Sequence, residues 1–202
     1  PAAPPGPGEQ YGFDVDLAAD LTRLTNRLRD SLVSVSPALE RTVGARLHQA
    51  GVRDLLAKFP TPTALRAAGR ARITTAVKKR SPRVAAKVVD AVTAALDAQS
   101  VTMPAEAAVG RVIAELAVEL DRIHARRDAL AAEIEEVFLA HPFGQVLVTL
   151  PGIGPRTGAR ILAEIGDGTR FANGSKLASY AGLAPVTRQS GTSIRGESQS
   201  RR

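Results

Sequence analysis

A mainly α fold is predicted for this 202-residue chain by three features of its sequence. Hydrophobic residues make up 44% of it and aromatics only 3%, so Ala, Leu and Val carry the apolar content. Ala and Leu are the best helix formers, whereas strands draw on Ile, Tyr and Phe. Apolar residues recur at helical spacing both near the N-terminus and through 113–137. Pro and Gly punctuate the intervening stretches, as in a unit of short helices. The expected architecture is a helical N-terminal unit, a long coiled-coil-like helix, and a C-terminal unit containing a helix-hairpin-helix.

The first ten residues, PAAPPGPGEQ, combine missing amide donors with high chain entropy, and 1–13 are expected to be a disordered tail. A helical linker domain is expected over 14–103. Leu17, Leu21, Leu24, Leu28 and Leu32 form one stripe of its first helix. Pro37 ends that helix or opens the next, which spans 37–50 and is expected to break at Gly51. A stretch at 52–59, a turn through Pro60-Thr61-Pro62, and a helix from Thr63 stopped by Gly69 follow. Two further helices are expected at 70–79 and 82–99.

Pro104 opens the longest helix, assigned to 104–141. Ile113, Leu116, Leu120, Ile123, Arg127, Leu130, Ile134 and Val137 are spaced alternately by three and four, the a/d seam of a coiled coil. Arg127 interrupts the seam and can set its register. The seam fits a second chain, giving a homo-oligomer through 113–137, or the Leu17 stripe of the same chain in antiparallel pairing. An ordinary amphipathic bundle helix fits the spacing equally. His141-Pro142-Phe143-Gly144 ends this helix, and the C-terminal unit occupies 145–202.

The 27 Lys+Arg against 20 Asp+Glu give a net charge of +7 and a pI near 10.5. Such a balance favours a polyanion, with nucleic acid first; an inert basic surface is the alternative, because net charge governs association rather than fold. The absence of cysteine excludes disulfides and thiolate metal sites. His48, His124 and His141 match no ligand spacing, so no metal site and no cofactor are expected in this chain. No apolar run reaches the ~20 residues of a membrane span, no secretory signal is visible, and a cytoplasmic location is expected.

Residues 145–166 read QVLVTLPGIGPRTGARILAEIG. An apolar helix (Val146, Leu147, Leu150) runs into Pro151-Gly152-Ile153-Gly154, and a second follows with Ala159, Ile161, Leu162 and Ile165 on one face. This pattern resembles a helix-hairpin-helix. Gly152 and Gly154 allow a tight turn and close approach of backbone to phosphate, and Ile153 anchors the turn. The amides at the start of the second helix, near Thr157, then point outward with the positive end of the dipole behind them. Arg156 and Arg160 add charge. Such a hairpin grips phosphates and reads no base sequence; the alternative is a plain tight turn between core helices.

Phe171, Leu177 and Tyr180 are expected to anchor a short helix at 175–180. Residues 184–196 then read as a loop of hydroxyls, glycines and arginines. Ser190 or Ser193, flanked by Arg188 and Arg195, has the surroundings of a phosphoryl-transfer nucleophile, in which glycine gives access and cations stabilise the phosphorus transition state. Loops of this composition are more often simply solvated.

The C-terminal stretch resembles, in four ordered blocks (PGIG, GDGTRF, LASYAGLAP and RQSGTSIRG), the C-terminal domain of the insertion-sequence transposases that join a DEDD, RuvC-like nuclease domain to a serine-bearing domain, the bridge-RNA-guided IS-one-ten group. DLAADLTRLTNRLRDSLVSVSPALER is similar to the helical segment after the nuclease domain, and the heptad helix to the family's coiled coil, so the resemblance covers 16–202. It implies a bacterial, nucleoid-associated protein that recombines DNA, with a guide RNA choosing the sites. It places the serine nucleophile at Ser190, with Ser193 as the nearest competitor. It also implies Mg²⁺ held by nuclease-domain carboxylates, whose positions lie upstream of Asp16. Asp14 and Asp16 in YGFDVD superficially suggest a nuclease strand, which the preceding Pro/Gly run disfavours. The chain starts without Met and stops at Ser200-Arg201-Arg202, so truncation at both ends and inactivity alone are expected. A non-catalytic helix-hairpin-helix binding module of a repair or recombination complex is the alternative.

Overall fold

The computed structural model describes residues 7–99, 103–166, 168–183, 185–190 and 194–199. The mainly α expectation holds. Helix α1 (Pro7–Val35) begins inside the stretch expected to be a disordered tail, whose described part, 7–13, is helical. The reason is that Pro is tolerated in a first turn, where its missing N–H would be unbonded anyway. Of the leucine stripe, Leu17, Leu28 and Leu32 are buried and Leu21 and Leu24 half-buried.

Ser36 caps α2 (Pro37–Val43), its oxygen accepting from the Leu39 N–H at 3.2 Å, so Pro37 opens a helix rather than ending one. A 3-10 turn, Gly44–Arg46, follows. The expected break at Gly51 is corrected: Gly51 lies within α3 (Ala50–Lys58), and the chain breaks just before it. A Cβ at Gly51 would stand 2.4 Å from the Val77 carbonyl oxygen. Glycine is therefore required for close packing, and its N–H donates to Ser81 Oγ at 3.0 Å. Helix α4 (Pro62–Arg80) is capped by Thr61 and divided at Gly69 (φ 72°, ψ 165°), the expected stop. Helices α5 (Ala85–Asp97) and α6 (Glu106–Ala140) follow.

The chain separates into two compact units, Gly12–Glu133 and Pro1–Tyr11 with Ile134–Arg202. Gly12–Glu133 takes in α2 to α5 with most of α1 and α6. Its core joins Leu28 and Leu32 to Leu39, Leu55, Leu56, Leu65, Val77 and Val92, and takes in Ile113, Leu116, Ala117 and Leu120 of α6. Asp14 accepts from Arg127 Nε at 3.0 Å and Nη2 at 3.3 Å, while Asp30, Ser31 and Ser34 line one recess with Ala108, Val109 and Val112. Numbers rise along α1 as they fall along α6, so the two run antiparallel. The first half of the 113–137 seam is buried within the chain, where pairing costs no loss of translational freedom. Asp14, on a helix and bonded to Arg127, is not part of a nuclease strand.

A polar network crosses this unit. Arg53, only 4% exposed, donates to Asp121 Oδ1 at 2.8 Å and to the carbonyls of Leu47 (2.9 Å) and His48 (2.7 Å). Arg80 donates to Asp121 Oδ2 at 2.8 Å and to Asp54 Oδ1 at 3.1 Å. Burial alone would raise the Asp121 pKa, but the hydrogen bonds and charges of Arg80 and Arg53 outweigh it and hold the carboxyl below its ordinary value. His124 is lowered by burial first and by the Arg53 charge second. Among the described residues, no helix is long and apolar enough to cross a membrane, and no group of three His, Asp or Glu stands together as a metal site.

In the other unit, α7 (Pro142–Leu147) is capped by His141, whose Nδ1 accepts from the Phe143 N–H at 3.2 Å. Helices α8 (Pro155–Ile165) and α9 (Gly174–Tyr180) follow. The stretch read as a loop is corrected: β1 (Pro185–Ser190) and β2 (Ile194–Gln199) pair antiparallel, with Ser190 opposite Ile194. Val186, Thr187 and Ile194 supply β-branched residues to this ladder.

Candidate nucleic-acid interface

The turn that leads into α8 is built on Phe138. Its ring is fully buried, and a Cβ on Gly158 would stand 2.2 Å from the ring's Cζ. Gly158 thus lets α8 lie directly on Phe138, with Ala159 and Leu162 buried beside it. Gly144 is equally constrained, since a Cβ there would meet the Phe138 carbonyl oxygen at 1.9 Å. These contacts fix the start of α8 and leave its entry turn at the surface.

That turn contains the expected site residues. Pro151, Gly152, Gly154, Arg156, Thr157 and Arg160 are exposed, and Ile153 is half-buried. The Ile153 N–H donates to the Leu150 carbonyl at 3.1 Å. Gly152 has φ 82°, a conformation that excludes most side chains, so its identity follows from the turn itself. Gly154 does not follow in this way. It is the N-cap of α8 at φ −94° and ψ 176°, extended backbone open to any residue, and a Cβ on it would meet nothing within 4 Å. Among the described residues nothing crowds that position. No side chain caps α8, and Gly158 N–H donates to the Gly154 carbonyl at 2.8 Å. The result is a positively polarised helix start without a side-chain cap, entered through Gly154, a fitting seat for a phosphate.

Sequence reasoning missed Arg170. Its guanidinium lies 4.8 Å from the Phe171 ring centroid and 4.9 Å from that of Tyr180, and it donates to the Glu164 carbonyl. Phe171 and Tyr180 pack at 5.3 Å, and the Tyr180 hydroxyl donates to Glu164 Oε2 at 3.3 Å. This cluster ties α9 to the end of α8 at the surface: Tyr180 is 45% exposed and α9 buries no residue, so the expected apolar anchor is a partly exposed contact. Only the adjacency of Arg170 and Phe171 could have signalled it.

Ser190 is the last residue of β1, Arg188 stands opposite Gly196, and Arg195 opposite Gln189. Ser193 lies outside the described residues. The structure thus gathers the expected 152–160 residues at one turn and places Ser190, Arg188 and Arg195 on one strand pair.

Residues 144–202 match the model of the Transposase IS116/IS110/IS902 family. The chain is 46% identical over 186 residues to the 43.6 kDa protein of insertion element IS110 of Streptomyces coelicolor, covering 92% of this chain and 46% of that protein. It is 38% identical over 176 residues to the 44.8 kDa protein of insertion element IS116 of Streptomyces clavuligerus, covering 87% and 44%. Over 53 residues it is 53% identical to the pilin gene-inverting protein of Moraxella bovis, covering 26% and 16%. The chain therefore spans a little under half the length of the first two relatives. No solved structure matches it.

Proposed function

We infer, from a chain related through residues 144–202 to the Transposase IS116/IS110/IS902 family, that it is the DNA-gripping part of an insertion-element transposase. The observation that carries this reading is Gly154, a glycine at a helix start where neither backbone conformation nor internal space requires one. A ligand approaching from outside does require it. In this reading the amides at the start of α8 hold a phosphate, Arg156, Thr157 and Arg160 lie along the same strand of DNA, and Arg188 and Arg195 contribute charge near the reacting phosphodiester.

Ser190 is the nucleophile. Its Oγ forms a bond to phosphorus as one bridging P–O bond breaks; the serine proton is given up, and the released sugar oxygen takes one. The product is a covalent protein–DNA ester, reversed by attack of a DNA hydroxyl on the same phosphorus. Mg²⁺, where the complete protein uses it, would be held by carboxylates with no counterpart among the described residues, and no step here runs through it. A guide RNA belongs to the same reading as a partner of the complete protein.

The test is adduct formation. In a protein of the relatives' length that carries this chain, Ser190→Ala is expected to abolish a denaturant-resistant protein–DNA adduct, and Ser193→Ala to leave it. An adduct that survives Ser190→Ala would remove Ser190 from the role. DNA binding that depends on the hairpin, with no adduct in any variant, would favour a non-catalytic binding module.

A further inference from the structure

A second concentration of positive charge lies away from the hairpin. Residues 55–89 carry nine Lys or Arg and no Asp or Glu, so the other 167 residues hold 18 Lys+Arg against 20 Asp+Glu. The end of α3, all of α4 and the start of α5 thus form a stretch in which no acidic residue offsets the nine cations.

The fold employs three of these nine cations. Arg66 donates to the carbonyls of Leu96 (2.6 Å) and Gln99 (2.8 Å), Arg70 pairs with Asp90, and Arg80 with Asp54 and Asp121. The other six, Lys58, Arg72, Lys78, Lys79, Arg83 and Lys87, are exposed and have no ion pair among the described residues. Arg72, Thr75, Lys78 and Lys79 lie on the solvent side of α4, with Ile73, Ala76 and Val77 buried behind them. Lys58 and Arg72 line one shallow groove of about 270 Å³ with Thr75. Arg83 and Lys87 continue the charge past the Ser81-Pro82 turn.

Folding explains only part of this. Lys78 and Lys79 in the last turn of α4 are favoured by the helix dipole. Arg83, just before α5, and Lys87, in its first turn, stand at the positive end of that dipole, where a cation is unfavourable. A surface that accumulates like charge against the helix dipole is built for an external anion. Its chemistry narrows the partner. No large apolar residue of 55–89 is exposed, which leaves nothing to insert into a lipid surface, and the single aromatic, Phe59, is half-buried and offers no stacking platform for unpaired bases. What remains is a closely spaced row of phosphates whose bases are already paired.

We propose that this face of α4 and α5 is a second backbone-binding surface for duplex DNA, within the unit Gly12–Glu133. It stands whether or not the 151–154 turn binds DNA.

The experiment uses the full chain and a short DNA duplex, with binding followed by fluorescence anisotropy across a salt series. Replacing four exposed, unpaired cations together (K78Q, K79Q, R83Q and K87Q) is expected to leave the thermal melt unchanged. It should reduce the slope of log K against log salt by about 3–4, and affinity at low salt by at least about tenfold. The single variant K79Q should reduce the slope by about 1. An unchanged slope in the fourfold variant would overturn the proposal. So would a loss confined to duplex RNA, or to single-stranded DNA, with duplex DNA binding retained.

Discussion

Phe138→Ala is expected to cost about 3–5 kcal/mol of stability in the unit containing Ile134–Arg202, the largest effect of any single truncation there. The side chain is fully buried, and α8 rests on it through Gly158. Removing the ring leaves a cavity beneath the helix that carries the hairpin, and no neighbouring backbone can fill it without moving α8. Amide exchange should show this as lost protection in α8, with α3 and α5 unchanged. Gly158→Ala supplies the reciprocal test: its Cβ would collide with the ring at 2.2 Å, so alone it destabilises, while in the Phe138→Ala background most of that penalty disappears. Additive effects would mean that the two residues do not touch.

Asp121→Ala is expected to cost about 3 kcal/mol, the lower end of the range for a broken buried pair, because Arg53 would be left buried with only the carbonyls of Leu47 and His48. The acid dependence has a definite sign. The Asp121 pKa is depressed in the folded state, so its contribution is fully present above the unfolded value of about 3.9 and is lost as pH falls through the folded value. The gap between wild type and variant in urea unfolding should therefore be constant near neutrality and close only in strong acid. A gap that closed above pH ~4 would contradict the network as drawn.

What the sequence made legible was local. Pro37 marks a helix boundary, Gly69 is a chain break, and Leu17, Leu28 and Leu32 repeat at helical spacing; each signal lies within a few residues of its effect. What stayed hidden was set by distant partners. Gly51 looked like a breaker because its reason, the Val77 carbonyl, is remote in sequence. Arg53 and Asp121 are 68 residues apart, and no periodicity links them. The seam at 113–123 was legible as a seam, but its occupant was decided by α1 and the core. At 185–199 the Ser, Thr and Gly content suggested a loop, although two short runs separated by three residues that include Gly191 also signal a hairpin. The turn at 151–154 was the most legible part of the candidate site, since Gly152 is fixed by its own backbone and Gly154 is conspicuous for lacking any internal reason. Arg170 was not legible, because its role depends on Phe171 and Tyr180 closing over it.

The measurement that bears most directly on the hairpin is the DNA affinity of Gly154→Ala. Alanine fits the backbone there and its Cβ touches nothing in the chain, so folding should lose no more than about 1 kcal/mol. If a phosphate sits against that amide face, the methyl group stands in its way, and affinity for duplex DNA should fall by about tenfold or more, the value of one or two charged hydrogen bonds. An unaltered affinity in a fully folded variant would mean that no phosphate approaches the start of α8.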